Sequence, residues 1–445
     1  MTTGARRFHI ETLGCPKNAV DSDRIVASLL ADGLVPATSA DDADLVVVNT
    51  CAFVEAAREE SVEVLLSLSS ERKPGAKLVA TGCMAERYGA ELAEALPEAD
   101  AVVGFAGADR IAGRVGLAST PVTISRKPRG VRDLLDLPRA APTAPWAYLK
   151  IAEGCDRACA FCAIPSFRGS QRSKHPDAVF DEAASLVDQG VRELVLVAQD
   201  LAWYGRDIDA AGALASLLRK LDRLRDRGLE RQRLLYLYPS EVHDPLLSTM
   251  LELPSVVPYF DLSLQHASRS LLARMKRWGS ADRFLRLIER IRSERPDAAF
   301  RSSFISGFPG ETEEMHDELL EFLAAAQLDW AGFFAYSAED GTAAASLDGV
   351  VDDGVVRERL AELATVQDPI TAAARSALIG TQIDVLVDGA DDTGTHGRTF
   401  REAPEIDGVV VLDTVVPVGT TVQAVVIDVE GPDLHATPVS NGAAS

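Results

Sequence analysis

The chain has 445 residues, 47% of them hydrophobic and 25% charged. At roughly 150 residues per domain this predicts about three domains with ordinary cores and argues against a disordered or fibrous protein. With 67 acidic and 45 basic residues the net charge is −22, so the chain repels a phosphate backbone outside any local basic patch and attracts a basic protein, plain solubility being the neutral alternative. No run of about 18 apolar residues predicts a membrane span. The opening MTTGARRFHIE lacks the apolar stretch of a signal peptide, so a cytosolic protein with reduced thiols is expected.

The first 116 residues repeat one pattern. RFHIETLGC runs an apolar strand into Cys15, DADLVVVNTC a second into Cys51, and AKLVATGC a third into Cys83, each followed by a helical stretch. Continuous apolar strands alternating with helices predict a doubly wound parallel sheet. Each cysteine then lies just past the carboxyl end of a strand, the edge where open α/β sheets bind ligands. Three unrelated core cysteines are the alternative; recurrence at one structural address, 36 and 32 residues apart, favours a common site.

Residues 117–140, rich in Pro, Ser and Arg, read as a linker. Over 141–375, strands are predicted at AYLKIAEGC, ELVLVAQD, RLLYLYP, YFDLSLQH, AFRSSFISGFPG and AGFFAYSA, with helices between. Six such strands predict a partial (β/α)6 barrel with its site at their carboxyl ends. Residues 376–445 change to IDVLVDG, GVVVLDT and TTVQAVVIDVE with Gly- and Asp-rich turns, a small all-β barrel or sandwich. That segment holds eleven acidic residues against two basic ones, Arg398 and Arg401.

EGCDRACAFC places Cys155, Cys159 and Cys162 in a C-x3-C-x2-C array after the first barrel strand. Thiolates at this spacing hold a soft metal. Iron–sulfur clusters usually take four cysteines; three leave one iron of a cubane open for a small chelating ligand. Structural zinc wants four closed ligands, and the nearest histidine downstream, His175, lies 13 residues beyond Cys162, which disfavours it. A plain ferredoxin wants the fourth cysteine too.

The array resembles the radical S-adenosylmethionine (SAM) superfamily, including Phe161 just before the third thiolate. The order of a three-cysteine N-terminal domain, a radical core and a small β-barrel is similar to the methylthiotransferases, across essentially the whole chain. TLGCPKN, KIAEGCDRACAFCAIPSFRGSQRS, LYLYPSE, SLQHAS, FISGFPGET and GRTFREAPEIDG resemble the branch that modifies an aspartate of small-subunit ribosomal protein twelve, with Lys174 where that branch has Arg. The resemblance implies two [4Fe–4S] clusters, an auxiliary one on Cys15, Cys51 and Cys83 and a radical one on Cys155, Cys159 and Cys162, with the C-terminal barrel TRAM-like. It further implies that one SAM methylates a sulfur species at the auxiliary cluster. A second SAM yields a 5′-deoxyadenosyl radical that removes a β-hydrogen, after which the carbon captures the methylthio group. A low-potential electron donor such as flavodoxin or ferredoxin follows from the same chemistry.

For SAM contacts the expected residues are Phe161, Gln199, Gln265, Arg301 and Gly307, the last in the turn GFPGET, which is not a Walker loop because no GK[ST] follows. Arg301 offers a fork to a carboxylate; each of these also reads as a lining or structural residue. His266 reads as a satisfied or lining histidine, and Lys17 and Asn18 as tuning the first auxiliary ligand or capping its loop. The acidic C-terminal segment fits a basic ribosomal protein or ribosomal subunit better than RNA, although Arg398 and Arg401 leave RNA contact open. The alternatives are a transfer-RNA adenosine methylthiotransferase and, in another class, a non-catalytic iron–sulfur or zinc scaffold in ribosome assembly.

Overall fold

The apolar runs of the N-terminal region form a parallel sheet of β1 (Arg7–Thr12), β2 (Val35–Pro36), β3 (Leu45–Thr50), β4 (Lys77–Gly82) and β5 (Ala101–Val103), in the order β2-β1-β3-β4-β5. These come from a computed structural model, which describes residues 5–117, 134–208, 212–391 and 394–439. Helices α1 (Pro16–Ala31), α2 (Glu55–Glu71), α3 (Cys83–Ala95) and the single turn α4 (Ile111–Arg114) alternate with the strands. All six residues of β3 are buried, because the pleat sends them alternately to two covered faces. Val46 and Val48 join Leu65, Leu78 and Ala80 on one face, while Leu45 and Val47 join Phe8, Ile25 and Val79 on the other. The strand order reverses direction between β1 and β3, the switch point at which loops diverge and leave a crevice beyond the carboxyl ends.

The predicted linker falls largely on residues 118–133, outside the described residues. Its end is packed: Leu134 and Leu137 are buried in the sheet's second core.

The next strands are β6 (Trp146–Lys150) and β7 (Ala152–Glu153), then helix α5 (Ile164–Arg168) and β8 (Arg172–Ser173). β7 and β8 pair antiparallel, a short ribbon that closes the cysteine loop and that the sequence pattern did not announce. The chain divides into two compact units. One comprises 1–141, 152–157 and 162–174; the other comprises 142–151, 158–161 and 175–445.

In the second unit, α6 (Pro176–Asp188), β9 (Glu193–Val197), α7 (Ala213–Asp222), β10 (Arg231–Leu234), α8 (Leu246–Glu252), β11 (Tyr259–Gln265), α9 (Arg269–Arg274), α10 (Ala281–Glu294), β12 (Ala299–Ser306), α11 (Glu313–Ala326), β13 (Trp330–Ala335) and α12 (Asp353–Ser376) follow. Strands β6, β9 and β10 pair in parallel, as do β11, β12 and β13, and a parallel bridge from Leu237 to Leu262 joins the two sheets. This is the partial six-stranded β/α barrel. Strand β10 is shorter than RLLYLYP suggested: Tyr236 takes a left-handed φ of 62° and its amide turns to Asp261 Oδ2 at 2.9 Å.

Strands β14 (Gln382–Asp391), β15 (Gly394–Arg398), β16 (Val410–Leu412), β17 (Thr421–Glu430) and β18 (Asp433–Pro438) close a barrel over Val385, Val387, Val410, Ala424, Val426 and Leu434. Its loops cap the amino ends of the core strands. Glu193 accepts from Arg233 Nε at 2.6 Å and Arg398 Nη1 at 3.0 Å, Tyr259 donates to Asp407 at 2.6 Å, and Trp330 Nε1 donates to the Arg401 carbonyl at 2.8 Å. Arg398, left open by the sequence as an RNA contact, is sealed instead. Its side chain is 2% exposed, because the fork is spent on Glu193 and Asp388. Arg401 is turned toward Asp329 at 3.7 Å.

Candidate functional site

At the switch point, β1 runs through Leu13 and Gly14 to Cys15, which caps α1 with extended backbone ahead of Pro16 at the first helical turn. Cys51 follows β3 directly, and Cys83 opens α3 after β4. Gly14 has φ +90°, and a Cβ there would lie 2.8 Å from both Cβ and Sγ of Cys51; only glycine lets the first loop close onto the second cysteine. Asn18, fully buried, ties the strand ends together. Its Nδ2 donates to the carbonyls of Leu13 at 2.9 Å and Thr50 at 3.1 Å, and its Oδ1 lies 3.5 Å from Cys83 Sγ. Asn18 therefore caps the loops, and the three thiols converge on one rim.

The thiols are electrically unequal. Burial pushes Cys51 up to about 12 and raises Cys83 despite the facing Arg168. For Cys15 burial also raises the value, but Lys17, Arg168 and the amides of Asn18 and Lys17 outweigh it and hold the thiol below its ordinary value. Arg168 is the residue that sequence reasoning missed. It ends α5, six residues after Cys162, and its side chain is 3% exposed. Nη2 donates to Cys83 Sγ at 2.9 Å and Asn18 Oδ1 at 2.7 Å; Nη1 donates to Glu153 Oε1 at 2.8 Å and Asp21 Oδ2 at 3.2 Å. Nothing in PSFRGSQRS separates this arginine from a surface one; the signal is tertiary.

The local trio sits on the loop closed by β7 and β8. Cys155 N donates to the Gly169 carbonyl at 3.0 Å, and Asp156 Oδ1 accepts from Gln171 N at 3.1 Å. Cys155 and Cys162 belong to the first unit, Cys159 and Phe161 to the second. There Ala160 is held at both backbone groups, by the Met275 carbonyl at 2.9 Å and the Ala344 amide at 2.8 Å. Arg277 reaches Cys159 Sγ at 3.4 Å, with its guanidinium 3.9 Å from the Tyr238 ring centre. It too went unpredicted.

Among the described residues no three His, Cys, Asp or Glu side chains close by themselves into a group that could hold a single metal ion. The donor set nevertheless suits iron–sulfur chemistry: all six ligand candidates are soft sulfur, each trio has an arginine donating to one sulfur, and sulfur hydrogen bonds of this kind tune clusters.

Of the expected SAM contacts, Phe161 is half-buried beside Cys162, Gln199 is half-buried two residues past β9, and Gln265 ends β11 with φ +73° at a register irregularity. Gly307 follows β12, its amide donating to Glu311 Oε2. His266 is fully buried; its Nδ1 accepts from Ser268 N at 3.0 Å, which leaves Nε2 to donate to Glu311 at 3.3 Å, so it is the satisfied histidine. Arg301 departs from expectation. It is the third residue of β12, toward the amino end, and its guanidinium faces Asp261 at 3.3 Å and Asp407 at 3.4 Å, so its fork is engaged away from the carboxyl rim.

Residues 7–104 match the family described as uncharacterized protein family UPF0004, residues 149–323 the radical SAM superfamily, and residues 379–439 the TRAM domain. The chain is 44% identical to ribosomal protein uS12 methylthiotransferase RimO of Saccharopolyspora erythraea, over 98% of this chain and 96% of that one. It is 42% identical to the protein of that name from Cutibacterium acnes, over 97% and 98%. Its fold is similar to a solved structure of the radical SAM methyltransferase TsrM from Kitasatospora setae (TM-score 0.57, 15% identity, 82% of this chain and 89% of that one). With all three regions matched and full-length identity this high, the chain belongs to the RimO family of ribosomal protein uS12 methylthiotransferases, enzymes of the radical SAM type.

Proposed function

We propose that this chain replaces a β C–H of an aspartyl residue of ribosomal protein uS12 by C–SCH3, using two [4Fe–4S] clusters. Cys15, Cys51 and Cys83 hold the auxiliary cluster, and Cys155, Cys159 and Cys162 the radical one. The observation that carries the reading is the gathering of three thiols from three separate strands onto one rim of the first unit, in a chain with a second, local trio. Bound there, the clusters supply reductive cleavage of SAM and a site for the transferred sulfur. The chain's own residues orient and exclude: Asn18 fixes the switch-point loops, Arg168 and Arg277 each place a donor on one sulfur, and the backbone clamps on Ala160 hold the local loop. Phe161, Gln199, Gln265 and Gly307 are the proposed SAM contacts at the carboxyl rim. The reductant is a low-potential protein such as flavodoxin or ferredoxin, and the protein works in the cytoplasm.

The acidic C-terminal barrel supports a protein substrate over transfer RNA. It contains no lysine, and both its arginines face carboxylates of the second unit, whereas RNA recognition calls for exposed cations. The test is anaerobic reconstitution with SAM and a reductant, offering uS12 and transfer RNA in parallel. A methylthio mass gain on a uS12 aspartate together with 5′-deoxyadenosine is expected; gain on the nucleic acid, or no 5′-deoxyadenosine under reducing conditions, overturns the reading.

A further inference from the structure

Arg168 gathers more than a structural ion pair requires. Its Nη1 meets both carboxylates, Asp21 and Glu153, while its Nη2 is turned to Cys83 Sγ and Asn18 Oδ1. The Phe105 ring centre lies 4.7 Å from its Cζ and shields it. A neutral thiol is a weak acceptor, whereas a metal-bound thiolate is a strong one. Two buried carboxylates and the Cys83 sulfur converge on this one guanidinium, with Lys17 a second positive charge beside Cys15, so an anionic cluster there would lose attraction were Arg168 absent.

We propose that Arg168 is a positioning residue for the auxiliary cluster: it donates to the Cys83 sulfur in the loaded site and raises the cluster's reduction potential, Asp21 and Glu153 opposing it. This rests on the reading that Cys15, Cys51 and Cys83 hold a cluster. A positive charge and a sulfur hydrogen bond both favour the reduced, more negative form. Glu153 precedes Cys155 by two residues and Arg168 follows Cys162 by six, so the control is built from the segments that flank the radical motif.

The test uses the full-length chain with Cys155, Cys159 and Cys162 changed to Ala, so that only the auxiliary cluster loads, read by iron content and by a redox titration followed by electron paramagnetic resonance. The expected order of midpoint potentials is Glu153→Gln above the parent, the parent above Arg168→Lys, and Arg168→Lys above Arg168→Gln. Full iron with unmoved potentials in Arg168→Gln and Glu153→Gln overturns the inference while leaving the cluster reading intact. If Arg168→Gln does not fold or load, Glu153→Gln decides alone, and no upward shift overturns it. A parent that takes up no iron defeats the cluster reading, and this inference with it.

Discussion

Arg168 in the first unit and Arg398 in the second are both buried forks, and their surroundings differ in kind. Arg398 gives its hydrogen bonds to oxygens, those of Glu193, Asp388 and the Glu402 carbonyl, with the Trp146 ring centre 5.8 Å from its Cζ; its charge is answered within the junction it closes. Arg168 divides its donors between carboxylates and a sulfur-lined rim. The three thiols there titrate far apart, Cys51 at about 12 and Cys15 below its ordinary value, so the proposed cluster would have to expel protons that burial holds on. Both cations are answered by carboxylates, but only Arg168 also lies against sulfur, which is the difference the proposed auxiliary cluster turns on.

The largest expected effect breaks that contrast outright. Cys159→Ala should abolish 5′-deoxyadenosine formation. Cys83→Ala should keep it and lose methylthio transfer to background, read by mass spectrometry of nucleoside and protein products; intact transfer in Cys83→Ala would make the Arg168 rim an ordinary core. Next, Glu193→Gln removes the carboxylate that Arg233 and Arg398 share, leaving Arg233 only backbone acceptors, and should destabilise the second unit by about 3–5 kcal/mol without changing iron content. Urea unfolding followed by tryptophan fluorescence reports it cleanly, since Trp146, Trp203, Trp278 and Trp330 all lie in that unit.

A smaller effect concerns Asp407, which burial raises to about 6 against the pull of Arg301 and the Tyr259 hydroxyl. Between about pH 4 and 6 the folded chain keeps a proton that the unfolded chain releases, so stability falls as pH rises through that window, by about 3 kcal/mol in all. Asp407→Asn should remove that slope in urea midpoints measured from pH 4 to 7. Smallest, Gly14→Ala forces a left-handed residue against Cys51 and should cost about 1–3 kcal/mol, seen as faster hydrogen exchange in β1 and β3 with the second unit unaffected.

The strand-to-cysteine rhythm of the first 116 residues was legible because buried parallel strands are written as unbroken apolar runs; the radical SAM class was legible in C-x3-C-x2-C, and the ribosomal-protein branch in local segments such as TLGCPKN and GRTFREAPEIDG. What stayed hidden is long-range. Arg168 reaches Cys83 across 85 residues, Arg277 reaches Cys159 across 118, and neither leaves a local pattern. Arg301 misled for the converse reason: its residue type suits a carboxylate, but its depth along β12 is set by register with β11 and β13, which composition does not encode. The junction between core and terminal barrel was likewise invisible, since Glu193 and Arg398 lie 205 residues apart.

The sealed arginines of that junction also govern how the native molecule meets a protease. From Ser376 onward the sequence offers trypsin no lysine and two arginines, one of them locked beneath Glu193 and Asp388 and the other turned to Asp329, while Arg375 just ahead is buried against Glu402. A brief native digest should therefore leave this terminal barrel uncut, the nearest exposed site upstream being Arg357 inside α12, and a change that loosens Glu193 would announce itself as a new cleavage after Arg398.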